Sequence, residues 1–143
     1  MADYMATART NYFRVTDEER YQELYSRLYC KAEVIQDLTK EENGVTLHGF
    51  AGYGSIDYKS RIPGGAEDEY EYCFSTFLQE LQEILPDDEA FMYFEAGYEK
   101  LNYVQGIVYV CTSKTIDVMN MDDWALTRAR QLLGENFTTE TDY

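Results

Sequence analysis

Tyr70, Phe74, Phe77, Leu78, Leu81, Ile84 and Leu85 recur every three or four residues. That spacing puts seven large apolar side chains on one stripe of a helix, and a stripe of this width has to be covered by another layer. The pattern predicts a helix from about Glu67 to Leu85, ended by Pro86, which cannot continue it. Glu67, Asp68, Glu69 and Glu71 crowd its first turns, where the positive end of the helix dipole favours anions.

The flanking segments supply candidates for the covering layer. Thr16-Asp17-Glu18-Glu19 has the form of a capping box, and Tyr21, Leu24, Tyr25 and Leu28 follow at helical spacing, so a first helix is expected over 17–29. Thr10 to Val15 and Ala32 to Leu38 alternate as strands do. Asn43-Gly44 offers the two positive-φ positions of a tight hairpin, with Val45 to Tyr53 as the returning strand, and residues 55–66 read as an irregular stretch. Ala90 to Tyr98, Tyr103 to Thr112 and Thr115 to Met119 read as three further strands. A last helix is expected from Asn120 to Leu133, closed by Gly134. The order is β-α-β-β-α-β-β-β-α. This is an α+β chain with a mostly antiparallel sheet and three helices, a ferredoxin-like start, and an appended hairpin and helix. Residues 1–134 form one domain in this reading, and 135–143 a loose tail.

With 143 residues, 45% of them hydrophobic, the chain is long enough to bury a core. Fourteen Tyr, seven Phe and one Trp set it apart from acidic disordered chains, which are poor in aromatics. Cys30, Cys73 and Cys111 are odd in number, widely spaced and set in apolar surroundings, so reduced thiols in a cytoplasmic protein are expected. The first residues lack the basic and apolar regions of a signal peptide, and no apolar run is long enough for a membrane span.

The charge is distributed unevenly. Residues 62–99 hold eleven acids and no Lys or Arg, whereas the rest of the chain carries sixteen acids against twelve bases. A net charge of −15 disfavours direct contact with nucleic acid or an anionic membrane, both of which require clustered cations. It favours a basic partner. Glu80 and Glu83 lie near the expected C-terminus of the second helix, where anions are mildly unfavourable, and local violations of this kind gather at functional sites. The candidate partner-binding set is Glu67, Asp68, Glu69, Glu71, Asp87, Asp88 and Glu89, extended by Glu80, Glu83, Glu95 and Glu99.

The residues offer little chemistry. His48 is the lone histidine, no CxxC pair exists, and the acidic surroundings of Cys73 oppose thiolate formation. Gly49 to Ser55 is glycine-rich, but no helix follows directly and no P-loop Lys is present. Asp87-Asp88-Glu89 lacks the spaced ladder of a calcium loop. No catalytic residue, cofactor or metal is therefore assigned.

Three stretches, Ala8 to Val15, Gly49 to Asp57 and Glu95 to Tyr103, together resemble a group of short, mostly uncharacterised proteins carried by bacterial mobile elements and phages. The resemblance implies a setting: small acidic proteins of such elements often inhibit host defence, as anti-CRISPR and anti-restriction proteins do. The leading expectation is a non-enzymatic inhibitor that covers the basic groove of a nucleic-acid-binding protein, such as a CRISPR nuclease, by imitating phosphates. The alternative is a regulatory or adaptor protein that pairs through an apolar patch or strand edge, as a homodimer or with another protein.

Overall fold

A computed structural model describes residues 4–30, 34–62, 64–66 and 69–137. The elements in chain order are β1 (Met5–Thr10), α1 (Glu18–Ser26), β2 (Leu28–Cys30), β3 (Gln36–Asp37), β4 (Lys40–Glu42), β5 (Val45–Leu47), β6 (Phe50–Gly52), β7 (Ile56–Arg61), β8 (Tyr70–Tyr72), α2 (Phe74–Gln82), β9 (Phe91–Glu99), β10 (Tyr103–Cys111), β11 (Ile116–Asn120) and α3 (Met121–Leu133).

The main sheet has six strands in the order β11-β10-β9-β1-β6-β3, all pairs antiparallel. Its inner run β9-β1-β6-β3 is the arrangement of a ferredoxin-like sheet, in which the first strand lies between the strand after the second helix and the return strand of a central hairpin. The β10-β11 hairpin extends this sheet on the β9 side. The α+β class and the predicted order hold, with seven short strands standing between α1 and α2 where two were expected. Three of these, β2, β7 and β8, form a separate small sheet, and β4-β5 is a hairpin. Asn43 and Gly44 turn that hairpin with φ of 54° and 79°, as their sequence predicts.

Alternation along β9 sends Phe91, Tyr93, Glu95 and Gly97 to one face of the main sheet, where all are buried. Helices α1 and α2 cover that face with Tyr21, Leu24, Phe74, Phe77, Leu78 and Leu81. Phe77 meets Phe50 and Phe91 with ring centroids 6.1 and 5.8 Å apart, and Phe13 meets Phe91 edge-on at 5.0 Å. Each such ring contributes roughly 1.5–3 kcal/mol by leaving water, which makes this aromatic layer the main source of stability.

The second helix is shorter than its apolar stripe predicts. It starts at Phe74, not Glu67, and Tyr70-Glu71-Tyr72 forms strand β8 instead. Lys59, Ser60 and Arg61 of β7 pair with these three residues. The Lys59 ammonium lies 4.4 Å from the Tyr70 ring centroid, and Tyr72 packs on Tyr29 at 5.2 Å. Tyr70 is thus 41% exposed and leaves the core stripe. Ile56, Tyr58 and Ser60 alternate inward along β7, inside the stretch read as irregular. Helix α1 is also shorter than predicted, because Leu28 to Cys30 pair with β7. Its cap is Asp17, whose carboxylate accepts from the Arg20 amide at 3.0 Å, and not Thr16.

Candidate functional site

The candidate acids divide into four places. Glu69 and Glu71 are exposed at the N-terminal side of α2, with Glu71 on the outer strand of the small sheet. Glu67 and Asp68 lie outside the described residues. At the other end of α2, Glu83 is its C-cap residue, with a side chain 71% exposed and 4.0 Å from the Arg20 guanidinium. Glu80 accepts a 2.6 Å hydrogen bond from the Tyr58 hydroxyl. Burial, and then the neighbouring Glu80, push the Tyr58 phenol up to about 12.

The loop after α2 forms a compact ion cluster. Arg14 Nη2 reaches Asp88 Oδ1 at 2.9 Å and Nε reaches Glu89 Oε2 at 2.9 Å, while the Arg14 amide donates to the same Glu89 oxygen at 3.0 Å. The hydrogen bonds it donates to Glu89 and then to Asp88 raise the arginine's own pKa. Asp87 accepts from Ser113 at 3.0 Å, which ties this loop to the β10-β11 turn. Asp88 keeps a side chain 78% exposed, whereas Glu89 is only 17% exposed.

The strand acids behave differently. Glu95 is buried, at 7% exposure, and accepts from Tyr93 at 2.6 Å, Ser55 at 2.7 Å and Tyr4 at 3.0 Å. It holds β1, β9 and the β6-β7 turn together and is not available to a partner, which corrects its place in the candidate set. Glu99 ends β9 beside Tyr103, whose phenol is raised by burial and by hydrogen bonding to Glu99. The structure therefore brings Glu80, Glu83, Asp87, Asp88 and Glu89 to one end of α2 and leaves Glu69 and Glu71 at the other. A helix of nine residues separates them by about 14 Å.

His48 is 1% exposed. Its Nε2 lies 2.7 Å from Glu18, its Nδ1 lies 3.2 Å from the Thr39 hydroxyl, and the Tyr21 ring packs on it with centroids 4.1 Å apart. Both ring nitrogens are thus engaged between α1 and the loop before β4, as in a structural histidine. Among the described residues no group of three or more His, Cys, Asp and Glu is arranged to hold a metal ion. No helix among them is long and apolar enough to cross a membrane.

A second surface escaped the sequence reading. The face of the main sheet turned away from α1 and α2 is open and apolar. Met5 of β1, Phe94 and Tyr98 of β9, and Met119 of β11 are each 45–55% exposed on it. Gly106 of β10 lies under the Met121 side chain at the start of α3, and no residue of α3 is buried. The signal was present in β10, where Val104, Val108 and Val110 alternate with Ile107, Tyr109 and Cys111, so that both faces of the strand are apolar. Comparison with protein-family models, curated proteins and solved structures found no match.

Proposed function

We propose that this chain is a non-enzymatic inhibitor that docks on the basic groove of a nucleic-acid-binding host-defence protein, of anti-CRISPR or anti-restriction type. The observation that carries the reading is an unbalanced charge that the fold does not remove. Internal ion pairs redistribute the field but leave the net charge at −15. Five of the candidate acids, Glu69, Glu71, Glu83, Asp87 and Asp88, are exposed at the two ends of one rigid helix. Carboxylates so placed can accept charge-assisted hydrogen bonds from Lys and Arg side chains that otherwise hold phosphates. Glu80 and Glu89 serve mainly to position that surface, through Tyr58 and Arg14.

The test combines charge reversal with salt. The variant carrying Glu69→Lys and Glu71→Lys is expected to keep its fold by circular dichroism and to lose inhibition of a CRISPR nuclease or restriction enzyme that the natural chain inhibits. Binding of the natural chain is expected to weaken about tenfold or more between roughly 50 and 200 mM salt. Full inhibition by the folded variant would overturn the reading.

One observation favours a second reading, that of an adaptor or regulator working through an apolar interface. Contiguous exposed apolar surface beyond a few hundred Å² is uncommon on monomers and marks contact sites. The open sheet face is such a surface. Affinity that does not fall with salt distinguishes this reading from the first.

A further inference from the structure

We infer that the open face of the main sheet is covered in solution by a second copy of this chain, packed sheet against sheet about a two-fold axis. The inference is independent of the acidic surface and its partner. It rests on what the face contains, on its size, and on where its two charges lie.

In a chain with 27 acids, this face carries one acid and one base on its strands. Register places Ala51, Arg9, Phe94, Val108 and Met119 side by side in one row across β6, β1, β9, β10 and β11. The adjoining row holds Met92, Val110 and Asp117. Across all six strands the register gives fifteen outward positions, and at about 4.8 Å between strands and about 6.8 Å between rows these span roughly 500 Å² per copy. A pair then buries roughly 1,000 Å², the lower limit for a specific interface. A basic partner would find almost no carboxylate here, and a polyanion would meet a single Arg on a strongly negative protein. An apolar surface with the same sparse charge is the chemistry that fits, and a second copy supplies it.

The charges choose the geometry. Arg9 lies on β1 and Asp117 on β11, on opposite sides of the β9-β10 boundary. Neither takes part in an ion pair among the described residues. A two-fold axis lying along the strands above that boundary brings β1 of one copy over β11 of the other. Arg9 then lies over Met119, one row of about 6.8 Å along the strand from Asp117 and within reach of it for a long side chain, and the contact occurs twice, as the self-complementarity of an isologous contact requires. An axis across the strands would instead return β1 onto β1 and β11 onto β11, keeping Arg9 and Asp117 apart. Phe94 and Val108 flank the axis and form the apolar centre. Two copies each at −15 repel, so screening strengthens this association, the opposite of the salt effect expected for docking on a basic groove.

Sedimentation equilibrium of the full chain tests the inference. A dimer is expected, with a dissociation constant that falls severalfold as salt is raised from about 50 to 500 mM. Phe94→Glu, at an exposed position that leaves the fold intact by circular dichroism, is expected to weaken it at least a hundredfold. Arg9→Asp is expected to weaken it about tenfold, and Arg9→Asp combined with Asp117→Arg to restore it. A chain that stays monomeric at millimolar concentration overturns the inference, as does a dimer indifferent to Phe94→Glu. A dimer that the double charge swap fails to restore overturns the two-fold placement.

Discussion

Three hydroxyls converge on Glu95, and the surroundings of that carboxylate show how a single residue can hold several elements. Tyr93 donates to Glu95 and accepts from the Ile56 amide at 3.1 Å, so Tyr93→Phe leaves a buried donor and a buried acceptor short of a partner. A loss of about 1–3 kcal/mol in denaturant unfolding is expected. The neighbouring Gly97 lies directly under the Tyr4 ring, so a Cβ there displaces Tyr4. Tyr21 presents the opposite case. Its hydroxyl is buried with no hydrogen-bond partner among the described residues, so Tyr21→Phe is expected to be neutral or to stabilise by about 1 kcal/mol, read as a raised Tm. The Tyr58 phenol, pushed up to about 12 against an ordinary value of 10.0, binds its proton more tightly in the folded state. Its contribution is complete below the unfolded value and is lost as pH rises from 10.0 through about 12. The stability curve is therefore expected to fall in that window, and to fall less in Tyr58→Phe. Among the thiols, Cys30 and Cys111 are buried and Cys73 is partly exposed, and burial pushes Cys111 up to about 11. An aromatic disulfide reagent is expected to label Cys73 first and the other two only on unfolding.

At the scale of elements, the legible parts of the sequence were those in which one period ran without competition. The strands β9, β10 and β11 and helix α3 fall within a residue or so of expectation, because aromatic and β-branched runs bounded by short turns and the Asn120 cap leave one solution. The ferredoxin-like order was legible with less precise bounds: the first strand, expected over Thr10 to Val15, runs over Met5–Thr10, Ala32 to Leu38 shrinks to Gln36–Asp37, and Val45 to Tyr53 divides into β5 and β6. The segment before α2 was not, because Tyr70 and Tyr72 fit a strand as well as a helix. The choice is made by pairing with β7, which is remote information. That competition also moved the acids: Glu71 sits on a strand edge and not in a helical first turn. The aromatic layer ranks the elements energetically. Phe77→Ala removes a fully buried ring that touches Phe50, Tyr58 and Phe91, and a loss of about 3–5 kcal/mol is expected from thermal unfolding. Trp124, Leu132 and Leu133 of α3 are all more than half exposed, so α3 is expected to exchange its amides faster than α1 or α2.

Across the whole molecule, charge that is local in sequence is only partly local in space. The base-free segment 62–99 receives Arg14 and Arg20 from the first part of the chain, which no run of residues announces. The open sheet face was likewise hidden, because it is assembled from strands far apart in the sequence and is defined by what does not cover it. The two surfaces make opposite demands on solvent. Salt weakens docking of the exposed carboxylates on a basic groove and strengthens contact between two acidic copies. The most direct measurement of the central claim is capture by the immobilised chain from a bacterial lysate at low salt, with the retained proteins identified by mass and challenged with added nucleic acid. The account predicts retention of a nucleic-acid-binding defence protein that is released both by salt and by competing DNA or RNA. Retained proteins that withstand both treatments, or that have no nucleic-acid-binding function, would contradict it.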